Sequence, residues 1–132
     1  MTIKIGIVGS RDRGTHEDFA KINRALLVVM DKLIEIEDSH KPKYGEVFLV
    51  SGGCRYGADW YASNLAEDLG IPMITYYAEW KALGKKAGPI RNTLIAKESD
   101  ILIACPSDNS KGTVDTIAKF KKFHPDGELI LV

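Results

Sequence analysis

Gly112 and Thr113, in the run Ser110-Lys111-Gly112-Thr113, are the residues of this chain best suited to hold a phosphate. The glycine leaves the backbone open, and the threonine offers a hydroxyl and an N–H. A helical pattern begins there, so its dipole would point at the ligand. Ser110 also has the chemistry of an N-cap for that helix, and Asp115 in the first turn balances its dipole. Arg91 and Asn92 follow Gly88-Pro89 and fall in the first turn of another helical pattern. A cation there opposes the dipole unless an anion is bound, and arginine grips phosphate with two parallel hydrogen bonds. Ser51-Gly52-Gly53 contributes two consecutive glycines, which permit close backbone approach. Asp59 either complements the dipole of the helix it opens, or accepts ribose hydroxyls and orients a water. Gly9-Ser10-Arg11 completes the set with a tight turn, a hydroxyl and a second guanidinium.

Three of these groups share one context. Ile3 to Val8, Val47 to Val50 and Ile101 to Ala104 are apolar runs, and each leads through a small-residue loop into a helix-like segment. Thr15 and Asp18 form a capping-box pattern, after which Phe19, Ile22, Leu26, Val29, Leu33 and Ile36 recur at helical spacing. Ser39 to Gly45 reads as a surface loop, and a second strand covers Glu46 to Val50. Ala62, Leu65, Ala66 and Leu69 mark a second helix, stopped by Gly70 and Pro72. A short strand at Met73 to Tyr76 precedes a long polar connection, Tyr77 to Gly88, placed to cover a binding site. A helix over Pro89 to Glu98, a strand over Asp100 to Ala104, a helix over Thr113 to Phe123 and a strand over Glu128 to Val132 follow. This alternation specifies an α/β fold, with a five-stranded parallel sheet covered on both faces. The expected topology is a three-layer α/β/α Rossmann-like domain, strand order 3-2-1-4-5, spanning residues 1–132 as a single unit. Its ligands sit outside the C-terminal edge of the sheet, where the strand order reverses.

The bulk composition narrows the partners. Eighteen basic against eighteen acidic residues leave no net charge, whereas a grip on duplex nucleic acid calls for a basic stripe. No apolar run approaches the roughly 20 residues of a membrane span. Cys54 and Cys105 form neither a CxxC motif nor a Cys/His cluster, so reduced thiols, a cytoplasmic protein and no metal are expected. There is no GxGxxG fingerprint and no P-loop. His16, His40 and His124 form no recognisable triad, and Trp60, Tyr76, Tyr77 and Trp80 are candidates either for stacking on a base or for packing.

Taken in order, Gly9-Ser10-Arg11, Ser51-Gly52-Gly53 with Gly57-Ala58-Asp59, Ala78-Glu79-Trp80 with Gly84-Lys85, Ala87-Gly88-Pro89 with Arg91-Asn92, and Ser110-Lys111-Gly112-Thr113 resemble the SLOG superfamily. The similarity is to its small YspA/YpsA-like branch, and it covers nearly the whole chain. The resemblance implies a domain that binds a nucleotide or nucleotide-derived ligand at these loops. Related LOG enzymes cleave the N-glycosidic bond of nucleoside monophosphates through PGGxGTxxE and RKxxM segments. Gly112 and Thr113 match the central GT, and Arg91 matches the catalytic arginine, with Asn92 in place of the lysine. Asn109-Ser110 replaces the paired glycines and Thr116 replaces the glutamate. Asp115 lies one position early, and on a helix points about 100° away. LOG proteins pair through helices, so the resemblance also implies a homodimer.

Two functional readings follow. In the first, the chain is a cytoplasmic sensor or carrier module for a nucleotide-like small molecule, with no cofactor. Its phosphate sits on Gly112, Thr113 and Arg91, its ribose near Gly52, Gly53 and Asp59. In the second, it is an N-glycoside hydrolase in which Asp59 or Glu79 activates water and Arg91 holds the phosphate. Single-stranded DNA binding, by analogy with DprA, is opposed by the charge balance.

Overall fold

The computed structural model describes residues 2–37 and 46–132. The loop expected over Ser39 to Gly45, with His40, lies outside them. Five strands, β1 (Ile3–Gly9), β2 (Val47–Ser51), β3 (Met73–Thr75), β4 (Ile101–Cys105) and β5 (Glu128–Leu131), form one all-parallel sheet in the order β3-β2-β1-β4-β5. That is the expected order. The intervening helices are α1 (His16–Glu37), α2 (Ala58–Leu69), α3 (Trp80–Leu83), α4 (Ala87–Glu98) and α5 (Lys111–Phe123).

Because side chains alternate across a strand, the apolar runs feed two cores at once. Ile5, Ile7, Leu49 and Ile103 meet Ile22, Leu26 and Val29 of α1 and Ala62 and Leu65 of α2 on one face. Val8, Val50, Leu102 and Ala104 meet Ile95 and Ala96 of α4 and Phe120 of α5 on the other. The result is a three-layer Rossmann-like domain. Strands β1 and β4 pair from Ile5 and Ile101 up to Gly9 and Cys105, so their loops leave the sheet at the same level.

The β1–α1 connection is held rigidly. Asp18 accepts hydrogen bonds from the Thr15 N–H (3.2 Å) and hydroxyl (2.9 Å), while Thr15 Oγ1 accepts from the Asp18 N–H (3.1 Å). The capping box is therefore formed, with aspartate doing the work of glutamate. Arg13 joins this cap to the β4 loop, through Asp18 Oδ1 at 2.7 Å and the Pro106 carbonyl at 2.7 Å. The Tyr61 hydroxyl of α2 reaches across to the Gly14 carbonyl at 2.6 Å. At the far end of α2, Gly70 adopts φ 68°, and the Ile71 N–H closes on the Ala66 carbonyl at 2.9 Å. This is the expected glycine stop.

One element differs from the sequence reading. The connection after β3 is not a continuous loop but contains α3 and a 3-10 turn over Gly84–Lys86, and α4 begins at Ala87. Proline is tolerated throughout a first turn, where N–H groups have no helical partner, so Pro89 marks the start of α4 only to within that turn.

Burial opposes the charge on Asp18, but the Arg13 and Thr15 hydrogen bonds outweigh it and hold its carboxyl below the ordinary range. A carboxylate depressed in the folded state stabilises above its unfolded pKa, and that contribution disappears as pH falls through the folded value. Asp18→Asn is expected to cost about 1–2 kcal/mol in urea unfolding at neutral pH. The deficit should shrink as pH falls below the ordinary carboxylate range, where the parent carboxylate is also being neutralised; an undiminished deficit would contradict the linkage.

Candidate functional site

The loops after β1, β2 and β4 converge on a cavity of about 680 Å³ at the C-terminal edge of the sheet. Arg91 and Asn92 meet them there from the second turn of α4, not from a first turn as expected, because the helix starts at Ala87. Gly9, Ser10, Arg11, Gly52, Gly53, Asp59, Arg91, Asn92, Ser110, Gly112 and Thr113 all line it. Two expected residues do not. Ser51 is buried beneath the loop, where its hydroxyl accepts the Gly53 N–H at 3.3 Å. Glu79 is exposed and outside the cavity, because the chain turns there into α3 and the Glu79 carbonyl takes the Leu83 N–H at 2.9 Å. Cys54 lines the cavity, while Cys105 is buried and its thiol is pushed up by that burial.

At the α5 end, Ser110 occupies the cap position but does not cap. Its hydroxyl donates to the Ser107 carbonyl at 2.8 Å and accepts the Ser107 N–H at 2.9 Å, which turns it away from the helix. The Val114 N–H, bonded to the Ser110 carbonyl at 3.1 Å, begins the helical ladder. The N–H groups of Gly112 and Thr113 precede it and find no acceptor among the described residues. Oriented donors at a helix start, left unused by the protein, favour an anion.

Arg91 lines the same cavity on a fixed mount. Its Nη1 donates to the Gly52 carbonyl at 2.9 Å and its Nε to Asn92 Oδ1 at 3.1 Å. The need for Gly52 is steric: a Cβ there would stand 2.6 Å from Arg91 Nη1 and 3.1 Å from Asp59 Oδ2. Gly53 adopts φ 74°, and a Cβ on it would collide with the Tyr77 ring. Asp59 is 9% exposed and accepts the Cys54 N–H at 2.9 Å, so it organises the glycine loop as well as facing the cavity. Burial pushes its carboxyl up, against the Cys54 N–H, the Arg91 charge and the Ser51 hydroxyl.

The β1 loop adds a group that the sequence did not single out. Asp12 lines the cavity and accepts the Ser10 hydroxyl, which accepts that of Ser107 at 2.8 Å. These two hydroxyls lower the Asp12 carboxyl. The cue was local, a serine two residues before an aspartate in a turn. Among the aromatic candidates, Tyr77 and Trp80 line the cavity and are 71% and 57% exposed. Trp60 instead packs edge-on against Tyr61 at 5.2 Å, and Tyr76 packs against the core under α4 and α5. Because α5 starts at Lys111, Asp115 falls in its second turn and not the first, and it accepts from Asn92 Nδ2 at 3.2 Å and Lys119 Nζ at 2.9 Å. His124 serves packing, its Nε2 lying 3.1 Å from the Ala96 carbonyl.

Among the described residues, no group of three His, Cys, Asp or Glu side chains is placed to hold a metal, and no helix is long and apolar enough to cross a membrane. Fold and site together define a Rossmann-like α/β domain with a polar crevice at its strand-order reversal. Comparison with family models finds no match, and neither does comparison with curated proteins or with solved structures.

The two adjacent glycines should respond differently to alanine. Gly53→Ala forces a side chain into the left-handed region and is expected to lose about 1–2 kcal/mol in denaturant titration. Gly52→Ala should unfold near the parent midpoint, because the flexible Arg91 tip can retreat. A crystal structure of that variant should show the guanidinium withdrawn from the residue 52 carbonyl. An unmoved guanidinium would refute the steric reading.

Proposed function

We propose that this chain is a nucleotide-binding module of the SLOG superfamily, in its YspA/YpsA-like branch, acting as a sensor or carrier in the cytoplasm. One observation carries the reading. The two unused N–H groups at the start of α5 open onto the same cavity as the Arg91 guanidinium. A phosphate there would receive backbone hydrogen bonds, a helix dipole and a charge-assisted contact from Arg91. The glycine loop leaves room for a ribose, whose hydroxyls Asp59 would accept. The exposed faces of Trp80 and Tyr77 are available to a base. The cavity volume falls within the range usual for small-ligand sites. Pairing of two copies, as in LOG proteins, rests on the resemblance alone.

A hydrolytic reading draws on a different observation, the buried Asp59 carboxyl, pushed up and facing the cavity. General bases are tuned in this way. Glu79 is too remote to share the work, which leaves Asp59 to activate water and Arg91 to hold the phosphate. Thr116, at the position of the LOG glutamate, is 2% exposed and donates its hydroxyl to the Gly112 carbonyl at 2.9 Å.

Calorimetric titration with a panel of nucleoside monophosphates is expected to find a ligand in the micromolar range, about 8 kcal/mol of binding free energy. Arg91→Ala should weaken that ligand about tenfold or more. Equal affinity in parent and variant would remove the phosphate from this end of the cavity. Chromatography of the same mixtures should show intact nucleotide; free base, lost in Asp59→Asn, would select the hydrolase instead.

A further inference from the structure

The cavity-lining Arg91 is the visible end of a chain of contacts that begins on α5. Asn92 is 7% exposed, and its Nδ2 donates to both the Gly112 carbonyl at 3.3 Å and Asp115 Oδ2 at 3.2 Å. With both amide donors committed, Oδ1 is turned to the Arg91 Nε–H at 3.1 Å. Asp115 is in turn pinned by Lys119 Nζ at 2.9 Å, and Lys119 also donates to the Pro89 carbonyl at 2.9 Å. The chain therefore runs from Lys119 through Asp115 and Asn92 to Arg91, and closes on Gly52.

We propose that Asp115 is a positioning residue, which sets the orientation of Arg91 in the cavity by fixing the amide of Asn92. Without the carboxylate, one amide donor loses its partner, and rotation of the Asn92 side chain would set an N–H₂ group against the guanidinium. Two donors would then face each other, and Arg91 would leave its mount. Two of the five guanidinium N–H groups are used for mounting, and the rest are available to an anion. Asp115 makes no cavity contact of its own, so its influence passes entirely through Asn92. The consequence for a ligand rests on the nucleotide reading above; the orientation of Arg91 does not.

The test uses the whole chain, with Asp115→Ala and Asp115→Asn. Proton–nitrogen NMR of the arginine Nε–H region reads Arg91 directly, its signal identified by loss in Arg91→Ala. The parent should show a shifted, slowly exchanging Arg91 signal. Asp115→Ala should return it to the position of a solvated arginine, whereas Asp115→Asn should preserve it, because its carbonyl still accepts from Asn92. Binding of adenosine 5′-monophosphate and of inorganic phosphate should weaken about tenfold in Asp115→Ala and recover in Asp115→Asn. With the Asp115 side chain 37% exposed, both variants are expected to unfold near the parent midpoint. An Arg91 signal unchanged in Asp115→Ala, or unprotected in the parent, overturns the proposal. If the parent binds neither these probes nor any member of the nucleotide panel, the nucleotide reading fails, and the Nε–H signal alone decides the role of Asp115.

Discussion

Strands β1 and β4 are hydrogen-bonded neighbours, yet the helices that follow them lie on opposite faces of the sheet. Neither helix can close over the strand ends, so a crevice opens where the two chains part. Everything polar in the molecule's site depends on that divergence. The approach around it is close: a Cβ on Gly9 would stand 2.8 Å from the Ala58 Cβ and 2.9 Å from the Cys105 carbonyl, and one on Gly57 would stand 2.7 Å from the Ser10 carbonyl. The Ser10 N–H, bonded to the Cys105 carbonyl at 3.0 Å, extends the β1–β4 ladder into the first loop. The start of α2 is thus seated against the end of β1, which brings the glycine loop level with the other two.

Most polar groups around the crevice already serve each other. Among the described residues, no buried side-chain nitrogen or oxygen lacks a partner. Ser51 and Asp59 hold the glycine loop, Ser10, Asp12 and Ser107 hold the first, and Arg13 ties the first to the third. Such self-satisfaction lowers the ordering cost of binding, because the loops need not be immobilised by a ligand. The first turn of α5 is different. Its donors are backbone groups, and the one side chain placed to cap them is committed to Ser107.

The two cavity aspartates contrast for the same reason. Asp59 is buried, and desolvation drives its carboxyl up despite its hydrogen bonds; Asp12 is open to solvent, and two hydroxyls draw its carboxyl down. The crevice therefore holds one carboxyl whose charge burial disfavours and one whose charge its hydroxyl neighbours favour. A ligand that brings hydroxyls would suit either, and a second phosphate near Asp12 would meet repulsion.

The amino-acid sequence by itself determined the α/β class, the strand order and the glycine stop of α2. Apolar runs, helical spacing and backbone-permissive residues are local properties, and short right-handed crossovers leave few ways to assemble them. It also pointed to the segments at Gly9, Gly52, Arg91 and Gly112 through their glycines, hydroxyls and guanidiniums, although Arg91 stands in the second turn of α4 and not the first. Only the tertiary structure decided that Glu79 stands outside the cavity while Asp12 stands inside it, and that Ser110 turns from its helix to Ser107. It alone joined Asp115 to Asn92 and Gly52 to Arg91. Those outcomes are contacts between segments far apart in the chain, and hydrogen-bond partnership is set by three-dimensional competition among donors and acceptors that no local pattern encodes.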